Sequence, residues 1–477
     1  MTKTLLSTRK RMLFSRALPA LAAAAVLAGC SMIPAYERPA APVAAQWPGP
    51  DAHAETATTP AADLAWQDFI SDASLRELIR LALLNNRDLR VAVLNMEQVR
   101  ASYQIRRADQ FPTLNLAATG LRQPATDGSG AITSLYTAGL AMASWEIDFF
   151  GRVASLKEAA LAQYLASDEA RKAAQTSLIA TVANTWLSLQ TNDELLALTQ
   201  RTLATREDSL RLTKLRLDNG ASSALDFRQA ESLTAVARAT LAQQQRLRAL
   251  DLNALTLLVG QPLPDALIAT HADAAAPAFR EVPAGLPSDL LMRRPDIRQA
   301  EQQLIAANAS IGAARAAFFP RISLTASAGT ASNELSGLFK GGAWGWTLAP
   351  QALLPIFDAG RNQANLSSAN VGRDIAVAQY EKAIQTAFRE VADALAGRAT
   401  LGEQLAAQQQ QLDAEADRFR LADLRYRNGF ASYLELLDAQ RSLFAAQQGV
   451  AQTRLAYLQN QVVLYKSLGG GAAESAP

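Results

Sequence analysis

The sequence predicts a mixed membrane α/β fold made from one unit used twice: a helix, two strands, a very long helix, then a turn and a closing helix. Three observations predict it. The chain repeats itself at a near-constant offset, its strand-like stretches alternate in polarity, and heptads of apolar residues run for tens of residues beyond them.

The repetition comes first. Asp88-Leu89-Arg90 recurs as Asp296-Ile297-Arg298, and Phe111-Pro112 as Phe319-Pro320, both 208 residues later. Gly151-Arg152 recurs as Gly360-Arg361 and Asn219-Gly220 as Asn428-Gly429, both at an offset of 209. Four landmarks in one order, drifting by a single residue, define two copies at residues 66–270 and 288–468. A Pro/Ala-rich join occupies 271–287, and 469–477 form a short tail.

Ahead of the repeats, the first 29 residues carry Lys3, Arg9, Lys10, Arg11 and Arg16, then the run "ALPALAAAAVLAGC". A basic stretch, a short apolar core and small residues at a cleavage site make a secretory signal peptide. Leu27-Ala28-Gly29-Cys30 also fits the bacterial lipoprotein box, so residues 1–29 are expected to be removed and 30–65 to form a linker lipidated at Cys30. Cys30 is the single cysteine, which excludes disulfides. Ser31 behind it, by resemblance to bacterial lipoproteins, directs the protein to the outer membrane. The +2 of the full chain, less the +5 of the signal, leaves the mature protein near −3. Nucleic acid is therefore not expected as a partner.

Within each repeat the first helix ends at Phe-Pro, because proline cannot continue the hydrogen-bond ladder and restricts the residue before it. Period-2 stretches follow: "TLNLAATGL" and "SLYTAGLAMASWEID" in the first copy, "RISLTASAGT" and "AWGWTLAPQALL" in the second. The turn-rich loops "QPATDGSGA" and "ASNELSGLFKGG" separate the members of each pair. Ile322, Leu324 and Ala326 alternate with Ser323, Thr325 and Ser327, which suits one lipid-facing and one water-facing side. A pair of soluble hairpins would carry the same pattern. Phe111, Trp145, Phe149, Phe150, Phe318, Phe319 and Phe357 gather at the helix-proximal strand ends, with Trp344 and Trp346 nearer a loop. Two such groups are what interfacial girdles require and favour a membrane; core aromatics are the alternative.

The long helices start after Gly-Arg. Positions 182, 189, 196, 203, 210 and 217 read Val and five Leu; 391, 405, 412 and 419 read Val, Leu, Leu and Phe, with Arg398 interrupting. Heptads sustained this long mean coiled-coil packing. Residues 152–217 as one helix would extend roughly 100 Å at the α-helical rise. Two repeats supply four strands, whereas closed membrane barrels begin at about eight. Several chains must therefore share one barrel, with cyclic symmetry the simplest arrangement.

These segments resemble the TolC-like outer membrane efflux factors, in their NodT-type lipoprotein branch. "LMRRPDIRQAEQQL", "AAFFPRISLTASAG", "LPIFDAGRNQANL", "RYRNGFASYLELLDAQRSL" and "LYKSLGGG" carry the resemblance across nearly the whole mature chain. It implies a homotrimer with a 12-stranded outer membrane β-barrel continuous with a 12-helix periplasmic α-barrel. It also implies an exit duct of a tripartite pump, served by a periplasmic adaptor and an inner-membrane RND-type transporter. Type I secretion is the alternative cargo route, and a non-conducting, lipid-anchored coiled-coil spacer the alternative architecture. The two Asn-Gly turns would lie at the periplasmic tip, where Arg216, Gly220, Ser223, Arg425, Gly429 and Ser432 would dock the adaptor. Two helix corners without a partner would look the same.

Leu434, Asp438 and Arg441 fall at i, i+4 and i+7, on one face of the helix after the second turn. In related channels the matching leucine and aspartate form constriction rings, which makes these three the candidate gate. Their equivalents in the first copy include Leu225 and Gln229, so a charged ring would come from the second copy alone. Asp438 and Arg441 could instead be a surface pair worth a few tenths of a kcal/mol. An enzyme is not expected: the only histidines are His53 and His271, and no metal-ligand spacing, nucleophile motif or phosphate loop accompanies them. No metal and no cofactor beyond the lipid on Cys30 is implied.

Overall fold

The structure is a computed structural model that describes residues 31–48, 60–125, 130–268, 279–285 and 287–472. Cys30, the signal segment, His53 and His271 lie outside the described residues. The element order is α1 (Ala73–Asn85), α2 (Arg87–Ala108), β1 (Leu114–Pro124), β2 (Ile132–Glu146), α3 (Arg152–Asp218) and α4 (Ala224–Val259). The second half runs α5 (Pro287–Arg293), α6 (Pro295–Ala316), β3 (Arg321–Ser332), β4 (Trp344–Leu353), α7 (Arg361–Arg427) and α8 (Tyr433–Ser467). Both α3 and α7 are 67 residues long, and α2 and α6 are both 22, so the duplication extends to helix lengths.

The chain divides into two compact units, neither of which coincides with one repeat. The first holds the described residues up to Ala40 with Met96–Ser167 and Ala300–Tyr380. Its centre is a four-stranded antiparallel sheet in the order β1-β2-β3-β4. Register sorts the side chains. Leu114, Leu116, Leu140, Met142, Leu324 and Ala326 share one face with Trp344, Trp346 and Leu348, while Asn115, Thr119, Thr137, Ser323, Thr325 and Ser327 share the other. Much of the apolar face is exposed, with both tryptophans 68% exposed, while Met142 is buried. The outer edges of β1 and β4 pair with no strand among the described residues.

One feature of β2 escapes the simple alternation. The register between β2 and β3 shifts between Met142 and Trp145, and Ser144 sits at φ +43°. This bulge places an extra residue in β2. It returns Trp145 to the apolar face opposite Leu324 and turns Glu146 to the polar face beside Ser323. There Glu146 accepts from Arg152 at 2.6 Å and Arg321 at 2.7 Å, tying the start of α3 to the start of β3. Phe150 stacks on Phe319 at 4.8 Å, joining the two helix-proximal strand ends. Gly139 and Gly329 face each other so closely that a Cβ on either would meet backbone at 2.4 or 2.3 Å. In the same unit an N-terminal strap lies on α6: Tyr36 and Arg38 both donate to Glu301, and Asn308 donates to the Pro34 carbonyl.

The second unit is helical. Its core joins Phe69, Leu75, Leu78, Ile79, Trp186, Leu187 and Leu255, each almost fully buried. Tyr465 near the end of α8 stacks on Phe69 at 4.0 Å and donates its hydroxyl to the Leu64 carbonyl at 2.6 Å. The heptad residues serve the same packing: Val182, Leu189 and Val391 are buried, and Leu196, Leu203, Leu210, Leu405, Leu412 and Phe419 partly so. Arg398, the interruption, donates to the Val282 carbonyl at 3.3 Å.

Candidate functional site

The two Asn-Gly turns are built alike. After α3, the chain leaves the helix at Gly220, φ +73°; Gly220 N donates to Leu217 O at 2.9 Å and Ala221 N to Arg216 O at 2.7 Å. After α7, Gly429 has φ +77°, with Gly429 N on Tyr426 O at 3.0 Å and Phe430 N on Arg425 O at 2.8 Å. Both are Schellman closures, which use a left-handed residue to satisfy the last helical carbonyls. The return helices are capped in turn. Ser223 Oγ accepts from Asp226 N at 3.1 Å in a reciprocal capping box, and Ser432 Oγ accepts from Glu435 N at 3.2 Å.

The turns are also fastened to each other. The Arg216 guanidinium donates to the Tyr426 hydroxyl and lies 5.4 Å from the centre of its ring. Tyr426 packs on Tyr433, and beneath them Ala230, Tyr433, Leu436 and Leu437 form a small core with Leu210, Leu233 and Phe419. Arg425 stays within its own turn, donating to Phe430 O at 3.3 Å and pairing with Glu435 at 3.2 Å. The six candidate tip residues are thus brought to one end of the helical unit, and each has work in the turn itself.

The three candidate gate residues follow on α8. Leu434 is 61% exposed. The Asp438 carboxylate accepts from Arg441 Nη2 at 2.7 Å, so the surface pair exists. A second guanidinium also reaches it, that of Arg418 on α7, which in turn pairs with Glu415 at 3.1 Å. Hydrogen bonding from Arg418, more than the charge of Arg441, holds the Asp438 carboxyl below the usual carboxylate range. Sequence reading missed Arg418. The available signal was distance from the turn: Arg418 precedes Asn428 by ten residues and Asp438 follows it by ten, the pairing that an antiparallel helical hairpin requires. In the first repeat Leu225 is exposed like Leu434, and Gln229 stands uncharged at the aspartate's position.

Among the described residues no helix is long and apolar enough to cross a membrane, and no three His, Cys, Asp or Glu side chains gather as metal ligands. The first statement leaves strands untouched. The outer membrane efflux protein family model matches this chain twice, over residues 78–261 and 286–470. The chain belongs to the outer membrane efflux protein family. It is 50% identical over 453 residues to the probable efflux pump outer membrane protein TtgC of Pseudomonas putida, covering 94% of this chain and 93% of the other. Outer membrane protein OprJ of Pseudomonas aeruginosa is 47% identical over 461 residues, covering 95% of both chains. Among solved structures, the open state of the Neisseria gonorrhoeae MtrE outer membrane channel aligns with a TM-score of 0.83 at 42% identity. It covers 93% of this chain and 99% of that one. Family membership makes the chain a TolC-like efflux factor of the outer membrane and gives the four-stranded sheet its setting.

Proposed function

We propose that the mature chain is the passive exit duct of a tripartite drug-efflux pump. It works as a homotrimer anchored by lipid on Cys30 and gated at its paired turns. The carrying observation is the sheet. It has four strands, one apolar face and two unpaired edges, and it is continuous in sequence with helices of 67 residues. Four strands leave an apolar face and two ladders of backbone groups unsatisfied in lipid, where closure is obligatory. Three chains supply twelve strands and close the ring, with the Thr- and Ser-rich face toward the lumen. The channel names of the relatives agree with this reading.

In the trimer, three copies of each turn form the mouth. Arg216, Gly220, Ser223, Arg425, Gly429 and Ser432 present the surface to a periplasmic adaptor, which links the duct to an inner-membrane RND-type transporter. Leu434 narrows the opening and Asp438 sets its charge. Arg418 and Arg441 neutralise Asp438 from within its own chain, so three such carboxylates approach one another with less repulsion than bare charges would show. The ring favours cations when the clamp opens. Cargo moves down its gradient through a polar lumen, and the chemistry of energy supply belongs to the transporter.

Single-channel conductance of the purified mature protein in planar bilayers tests this. Small or rare openings in the wild type should become large and stable in Leu434→Ala/Asp438→Ala. Folded, inserted samples that never conduct in either form would leave the lipid-anchored spacer as the better account.

A further inference from the structure

A cavity of about 230 Å³ opens between α3, α7 and α8, lined by Leu198, Phe419, Leu443 and Phe444 and by the cations Arg201 and Arg206. Arg206 is only 5% exposed. Its Nη1 donates to the Leu233 carbonyl at 3.0 Å, and its guanidinium lies 5.3 Å from the centre of the Phe444 ring. Its Nε is buried without a partner. Among the described residues no carboxylate pairs with it. Glu207 is held by Arg238 and Asp208 by Arg211, while Glu415 and Asp438 are both held by Arg418. Arg201, exposed on the same wall, forms no ion pair among the described residues.

An isolated buried guanidinium is costly unless an anion meets it. Burial alone works against its charge here. Water can fill a polar cavity of this size, yet it brings no compensating charge. A guanidinium fork matches a carboxylate in geometry as well as charge. The leucine and phenylalanine walls ask for an apolar body behind that carboxylate, which an inorganic anion lacks. The volume falls below the roughly 300–1,000 Å³ of drug-sized sites, so the body is one ring or a short chain. We propose that this crevice binds a small apolar monocarboxylate through Arg206.

The test is calorimetric titration and thermal melting of the detergent-solubilised mature protein, with benzoate as probe and benzamide as its uncharged shape control. Benzoate should bind saturably, and benzamide at least tenfold more weakly. Arg206→Met should lose benzoate by at least tenfold while melting no lower than the wild type, because it removes an uncompensated charge and keeps apolar volume. Leu443→Trp, which fills the cavity and leaves Arg206 in place, should lose benzoate as well. Equal affinity for benzoate and benzamide would overturn the proposal, as would unchanged benzoate affinity in Arg206→Met. A wild type blind to benzoate whose Arg206→Met variant melts lower would make Arg206 a structural residue only. None of these readouts needs conductance or a partner protein, so failure here leaves the duct reading intact.

Discussion

Gly429→Ala isolates what the second turn demands of its sequence. The residue stands at φ +77°, and a Cβ built on it meets nothing within 4 Å. Space is therefore no obstacle, and the whole penalty is conformational: about 1–2 kcal/mol for an L side chain in the left-handed region. That converts to roughly a 5- to 30-fold change in the opening equilibrium of the turn. The readout is amide hydrogen exchange across residues 424–432. The protons of interest belong to Gly429 and Phe430, which the Schellman closure binds to Tyr426 O at 3.0 Å and Arg425 O at 2.8 Å. Both should exchange faster by that factor while amides in the middle of α7 stay unchanged. Gly429→Asn should fall between wild type and Ala, since asparagine tolerates this region, and Gly429→Val should be worst. Wild-type exchange in the Ala variant, or an Asn variant as damaged as Val, would refute the conformational argument. Gly220, at φ +73° with the same open surroundings, should repeat the series.

Other expectations concern the gate, the helical core and the anchor. Because Arg418 depresses the Asp438 carboxyl, the clamp is present at neutral pH and is lost only as pH falls through that depressed value. Wild-type conductance and selectivity should therefore hold from about pH 7 to 5 and approach those of Asp438→Asn only below roughly pH 4; convergence near pH 6 would contradict the clamp. Tyr465→Phe keeps the stack on Phe69 but leaves the Leu64 carbonyl unpaired. It should destabilise that region by about 1–3 kcal/mol, read as faster exchange in residues 64–70. Cys30→Ala should abolish incorporation of labelled palmitate and shift the intact mass by the lipid; an unchanged mass would remove the anchor from the proposal.

Much of the fold was legible because its signals are local and repeated. Phe-Pro stops α2 and α6, the heptads mark α3 and α7, and the paired Asn-Gly turns mark where those helices end, each for a backbone reason that a short stretch of sequence carries. What the sequence concealed depends on register. Period-2 reading of "SLYTAGLAMASWEID" puts Trp145 on the face opposite Met142, whereas the bulge at Ser144 brings both to the apolar side. Nothing in that string announces a bulge; a single extra residue in β2 is fixed by pairing with β3, nearly two hundred residues away. The two contact units are equally invisible in sequence, since each draws on both repeats.

The differences between the repeats say more about function than their likenesses. At the offset of 209, Arg418 and Asp438 correspond to Ser209 and Gln229, so the first copy has neither half of the clamp. Arg206 corresponds to Glu415, the residue that braces Arg418 in the second copy at 3.1 Å. One position thus carries a cation without an acid in the first copy and an acid committed to a cation in the second. Packing cannot require that exchange, because the apolar heptad positions on either side are kept in both copies. In three chains arranged about an axis, three of the six turns would carry the charged clamp and three would carry the buried arginine. A mouth built this way has two kinds of joint. One is held by ion pairs that acid or a mutation at Asp438 can release, and the other is poised beside a crevice that an anion can fill. Because α7 and α8, which the clamp joins, also wall that crevice, opening the clamp by Asp438→Asn should weaken benzoate binding at Arg206.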